Sequence, residues 1–143
     1  MGKETKVVLD TNVLISSLRE GSKPHELVQL VADFSIKLAI SDMQIAELER
    51  VLQYPKLHIS AEQAMRLMNI VYNCAEIVQV SGKLGVVKED PSDDIILESA
   101  IVSKAGFVVT GDGHLLRIRE YLWIRIMRVA EFLGEHGRGK IAS

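Results

Sequence analysis

The chain has 143 residues, enough for one ordinary domain, and with 48% of them hydrophobic and 25% charged it can bury a real core. A formal net charge of −2 excludes the basic surface of a general polyanion binder, although a bound cation can invert a local field. The single cysteine, Cys74, excludes an internal disulfide and no apolar run approaches the ~18 residues of a membrane span; with residues 1–6 too short and polar for a signal peptide, a soluble cytoplasmic protein is expected.

Residues 6–10 read as a strand buried on both faces, with Val7, Val8 and Leu9 running straight into Asp10. A short helix over 13–18 closes at the turn-forming stretch 20–24, and a helix over 25–33 carries Leu27, Leu30, Val31 and Phe34 at helical spacing. Residues 37–40 form a second apolar strand. Ser41 with Gln44 is a capping box that opens a helix to about Gln53, where Tyr54 and Pro55 break it. Ser60 with Gln63 opens another, running to Cys74 with Ala64, Leu67, Met68 and Val71 inward. Residues 76–80 are a third strand and 81–87 a glycine-containing connection. Asp90 as N-cap and Pro91 at the first helical position start a helix with Ile96, Leu97 and Ala100 inward, ended by Gly106. The fourth strand is 107–110 and the fifth 123–129, interrupted by Arg125 and Arg128. A short helix then completes a single domain over 1–133, leaving 134–143 as a glycine-rich flexible tail. Strands alternating with helices predict an α/β layered fold with a mainly parallel sheet.

Asp10 ends the first strand, and Asp112, after Val108, Val109, Thr110 and Gly111, ends the fourth in the same way. In open parallel sheets ligands bind beyond the strand C-termini, although a lone aspartate there ordinarily caps a helix. The acids around Glu47 and Asp93 begin helices that open onto the same edge. Glu47 and Glu49 border the Ile45, Leu48, Val51 and Leu52 stripe on either side, and geometry alone does not choose between them. Asp90, Asp93 and Asp94 occupy a helical first turn, where acids favour the dipole. Asp93 shares a face with Ile96, Leu97 and Ala100, whereas Asp94 is turned away. Thr11 and Asn12 orient Asp10 or satisfy the turn, and Thr110 and Ser41 are candidate donors to the carboxylates. His114 reads as incidental, His25, His58 and His136 lack metal spacing, and Cys74 reads as core. Four carboxylates at one edge repel unless a cation sits between them. Oxygen ligands without a His/Cys cluster point to Mg²⁺ or Mn²⁺ rather than zinc, and no Walker-type phosphate loop is present.

Four stretches in order carry a resemblance: Val8-Leu9-Asp10-Thr11-Asn12-Val13-Leu14; Ser41 through Glu47-Leu48; Asp90-Pro91-Ser92-Asp93 with Ile96-Leu97 and Ala100; and Val109-Thr110-Gly111-Asp112. Together they resemble the PIN-domain nucleases, and within them the toxin branch related to VapC ribonucleases, over residues 6–130. The resemblance implies a three-layer α/β/α fold and an acidic quartet of Asp10, Glu47, Asp93 and Asp112 that binds metal and carries catalysis. It selects Glu47 over Glu49 and Asp93 over Asp94. It further implies metal-dependent cleavage of RNA to a 5′-phosphate and a 3′-hydroxyl, an antitoxin partner and a homodimer. Met65 and Ile70, off the inward stripe of the 60–74 helix, offer an apolar face for the dimer. Phosphate contacts are expected from Lys and Arg, with Arg117, Arg119, Arg125 and Arg128 clustered late. Two departures stand out: Asp94 where relatives often carry Asn, and Gly113-His114 where a charged residue and an Asp are common, so an accessory fifth acid at 114 is absent. Two rivals remain. A Mg²⁺-binding phosphoacceptor of the receiver type would want paired acids at the first strand and a late Lys, where this chain has Thr11-Asn12 and Arg. A PIN-like binding module that no longer cuts is disfavoured by the presence of all four acids.

Overall fold

β1 (Lys6–Leu9) lies at the centre, and the computed structural model, which describes residues 4–137, is organised around it. It pairs in parallel with β2 (Lys37–Ser41) on one side and β4 (Phe107–Val109) on the other. β3 (Glu76–Val78) extends the sheet beyond β2, and β6 (Ile124–Met127) beyond β4; β5 (Glu120–Tyr121), antiparallel to β6, is the far edge. The order is therefore β3-β2-β1-β4-β6-β5. The chain builds outward from β1 to β3, then returns to the other side of β1, which makes the β1/β4 junction the topological switch point.

Side chains alternate faces along a strand, so each strand feeds two cores. Val7 and Leu9 join Leu38, Ile40 and Val109 on one face; Val8 joins Ala39, Val108 and Ile126 on the other. The first face is covered by α1 (Thr11–Ser16), α2 (Lys23–Ala32), α3 (Asp42–Val51), α4 (Ala61–Cys74) and α7 (Val129–His136). The second is covered by α5 (Pro91–Ser103) and α6 (Gly113–Ile118). Burial on both faces is why β1, β2 and β4 read as continuous apolar runs. The result is the expected three-layer α/β/α sandwich.

The N-caps legible in the sequence form, but only one of the two expected capping boxes is complete, because the Gln44 side chain turns to Leu9 and Thr11 instead of back to Ser41. Ser41 Oγ accepts the Gln44 N–H at 3.0 Å, and Ser60 and Gln63 cap each other reciprocally, each bond 3.0 Å. α5 stops at Ser103, short of Gly106, because Lys104 adopts a left-handed cap at φ 62°. The expected fifth strand over 123–129 forms as the shorter β6, but two elements carry no sequence signal: α6, with only six residues, and β5, joined to β6 by a turn that holds Leu122 at φ 56° in place of glycine or asparagine. α7 stays helical through Gly134 to His136, past the expected boundary at 133; residues 138–143 of the expected tail lie outside the described residues. Ile70, read as an outward apolar residue, is half-buried against the first core, while Met65 is 63% exposed. Among the described residues no helix is long and apolar enough to cross a membrane.

Candidate metal centre

The register Leu9↔Val109 sets Asp10 beside Thr110 where both strands run out. The Asp10 N–H donates to the Val109 carbonyl at 3.0 Å, and Thr110 Oγ1 donates to Asp10 Oδ2 at 2.7 Å. Thr110 Oγ1 also accepts the Asp112 N–H at 2.9 Å, so one hydroxyl orients the first acid and fixes the turn that presents the second. Asp10 Oδ1 accepts the Asn12 N–H at 3.2 Å, and Asp112 Oδ1 accepts those of His114 and Leu115 at 2.8 and 3.3 Å. Both acids thus cap helices with one oxygen, which leaves the capping and ligand readings compatible.

α5 brings Asp93 to the same edge. Asp90 caps that helix through Oδ1, accepting from Ser92 N–H at 3.0 Å and Asp93 N–H at 3.3 Å, so the Asp93 carboxyl is not needed as a cap. Asp93 is 4% exposed, and its Oδ2 is buried without a hydrogen-bond partner. Asp94 is equally buried but engaged elsewhere: its oxygens accept the N–H groups of Gly85, Val86 and Val87 at 2.8, 2.8 and 2.9 Å. Glu47 accepts Thr11 Oγ1 at 2.6 Å and Ser92 Oγ at 3.2 Å, which ties α3 to α1 and to the start of α5. Gln44 braces this chain from below, donating to the Leu9 carbonyl at 2.6 Å and to Thr11 Oγ1 at 3.4 Å. Glu49 turns to the other flank and accepts the Tyr72 hydroxyl at 3.2 Å. Of the two roles open to Ser41, its buried hydroxyl takes that of capping α3 rather than meeting a carboxylate, whereas the Thr110 hydroxyl donates to Asp10.

Burial, then the contact with the Asp112 carboxyl, then the charges of Asp112, Asp90 and Asp10 push Asp93 up to about 8. The same contact with Asp93 holds Asp112 below its ordinary value. Of the two carboxyls, Asp93 is therefore the one that resists ionisation and Asp112 the one that stays charged. Burial also raises Asp10, against hydrogen bonds from Thr110 and Asn12 and with the charges of Asp112 and Glu47. Asp90, Asp93, Asp112 and His114 each offer one ligand atom, all within 4.8 Å of one another. A buried acceptor without a donor, beside carboxyls that cannot all ionise, is a donor set that fits a divalent cation. Of the expected quartet this tight group holds Asp93 and Asp112 but not Asp10 or Glu47, although Asp10 feels the charges of Asp112 and Glu47. Asp90 and His114 are the members the sequence did not assign: Asp90 read only as a cap, and the place of His114 depends on α6.

A cleft of about 380 Å³ adjoins Thr110 and is lined also by Asn12, Ser16, Lys23 and Arg128. Lys23 and Arg128 are exposed there. Arg125 sits at the opposite end of β6, paired with Glu135 at 3.0 and 2.9 Å and stacked over the Phe107 ring at 5.7 Å.

A family model described as PIN domain matches residues 6–114. No curated protein matches the chain. Among solved structures it is similar to a chain in the crystal structure of VapBC2 from Rickettsia felis bound to a DNA fragment from their promoter. The two are 19% identical, the match covers 85% of this chain and 97% of that one, and the TM-score is 0.57, a likeness of fold.

Proposed function

The chain belongs to the PIN-domain family, and from that premise we propose that it is a Mg²⁺- or Mn²⁺-dependent endoribonuclease, the toxin of a toxin–antitoxin pair. The observation that carries the reading is the buried, unpartnered Asp93 Oδ2 facing Asp112 at the switch point of the sheet. The similarity to a chain of VapBC2 supports the toxin assignment and an antitoxin partner.

Asp10, Asp93 and Asp112 would hold the ion, with Glu47 binding it directly or through water. Such an ion, when bound, neutralises the scissile phosphate, lowers the pKa of a bound water and stabilises the leaving oxygen. The chain supplies the rest. Thr110 fixes the angle of Asp10, and Thr11 and Ser92 hold Glu47 from two sides. Asp93, whose ionisation the apo site resists, would give up its proton to the solvent as the ion binds, leaving two carboxylates to face the cation. Attack by water leaves a 5′-phosphate and a 3′-hydroxyl. Lys23 and Arg128, in the adjoining cleft, contact a neighbouring backbone phosphate and offset the negative edge.

The test is cleavage of a mixed single-stranded RNA with Mn²⁺, with Mg²⁺ and with EDTA, by wild type and Asp112→Asn. Wild type should cut with either ion, not with EDTA, and release 5′-phosphorylated ends; Asp112→Asn should not cut. Equal cutting by both proteins, or cutting in EDTA, would overturn the assignment. Binding of ion and RNA without any cutting would make the chain a non-catalytic module.

A further inference from the structure

His114 occupies the position where the sequence lacks an accessory acid, and the structure gives it a place of its own. It is the second residue of α6, whose start is tied down by Asp112. Its Nδ1 is buried without a hydrogen-bond partner, 3.6 Å from Asp112 Oδ1 and 3.9 Å from Asp93 Oδ2. Asp93 Oδ2 is itself buried and unpartnered. At these distances Nδ1 is beyond hydrogen-bonding range of both carboxyl oxygens. The nitrogen and these oxygens are within reach of a common ion: ligands about 2.1 Å from one cation stand about 3.0 Å apart at right angles and about 4.2 Å apart when opposite.

We propose that His114 supplies Nδ1 as a nitrogen ligand to the divalent ion held by Asp93 and Asp112, and that this nitrogen biases the site toward Mn²⁺ and other transition-metal dications over Mg²⁺. The inference rests on the metal-centre reading above and concerns which ion that centre selects. Mg²⁺ is a hard cation that prefers oxygen and keeps several waters, whereas imidazole favours first-row transition metals. An Asp at 114 would make the set all-oxygen; His114 makes it mixed. His114 sits at the start of a helix rather than in a free loop, so Nδ1 is directed at the acids before any ion arrives and little ordering is needed on binding.

The test uses the full chain and Mn²⁺ itself as the probe. Pulsed electron paramagnetic resonance of the Mn²⁺-loaded wild type should show coupling to one imidazole nitrogen, absent in His114→Ala. Calorimetric titration should show Mn²⁺ affinity falling at least about 10-fold in His114→Ala, the loss seen on removing even an outer partner of a metal ligand. Mg²⁺ affinity should fall much less. His114→Asp should reverse the preference, strengthening Mg²⁺ and abolishing the nitrogen signal, and melting curves of both variants check that they fold. Mn²⁺ bound without nitrogen coupling, or an equal loss for both ions, overturns the role of His114 while the centre stands. No binding of Mn²⁺ by wild type overturns the centre and this inference together.

Discussion

At the scale of single residues, neighbouring acids do opposite work. Asp93 holds its proton to about pH 8 in the fold, but only to about 3.9 when unfolded. The folded state therefore binds the extra proton, and the stability it confers is fully present below about pH 4 and lost as the pH climbs to about 8. Asp112 is shifted the other way, so its contribution is lost only as the pH falls below the ordinary carboxylate range. In EDTA, wild type should melt lower near pH 8 than near pH 6, as calorimetry would show. Asp93→Asn, whose amide donates to Asp112 without titrating, should flatten that slope and melt at or above wild type near pH 8. A marked drop would mean that Asp93 supports the helix instead. Thr110→Val keeps the shape of the side chain but removes the donor to Asp10 and the acceptor for the Asp112 N–H. It should weaken Mn²⁺ binding about 10–100-fold, measured by titration. The quartet is legible in the sequence because strand-then-acid and acid-then-helix are local patterns. The role of His114 is not, because what an imidazole does depends on which neighbours the fold delivers, here two carboxylates.

At the scale of elements, α5 organises its surroundings from its first turn. Asp94 gathers three backbone N–H groups of the 85–87 stretch and so seats Val87 in the second core. Asp94→Ala leaves those donors without their anion and should cost about 3 kcal/mol, lowering the melting temperature by roughly 10 °C in thermal denaturation followed by circular dichroism. An unchanged melt would show that water replaces the carboxylate freely. Asp93→Asn and Asp94→Ala, one residue apart, are thus expected to move stability in opposite directions. Helices with long periodic faces and polar caps are readable: α3, α4 and α5 begin where Ser41, Ser60 and Asp90 place them. The β5–β6 hairpin is not, because its left-handed turn residue is Leu122, a residue type that gives no turn signal.

At the scale of the whole molecule, negative and positive groups divide the C-terminal edge of the sheet. Replacing Lys23 and Arg128 together by Ala should weaken binding of a single-stranded RNA to the Asp93→Asn protein. The slope of log affinity against log salt should fall by about 0.7 for each phosphate that is no longer neutralised. Fluorescence anisotropy at several salt concentrations would show it; an unchanged slope would place the RNA elsewhere. A groove of about 630 Å³ lies away from this edge between the end of α3 and α4, lined by Leu52, Tyr54, Ile59, Met65 and Met68. With Met65, Tyr72, Tyr54 and Leu57 exposed around it, this face is where a second copy is expected to dock. Light scattering during size-exclusion chromatography should return twice the chain mass for wild type, and the single mass for Met65→Glu; a monomeric wild type would end that idea. The hydrogen bond between Thr110 and Asp10 spans 100 residues, because β1 waits for β4 to close its second side. Closing so long a loop comes late in folding. On a ribosome, where the chain emerges from its N-terminus, Asp10 is exposed long before Asp112 exists to meet it. The centre therefore cannot be assembled until synthesis has passed Asp112, however early β1 has formed.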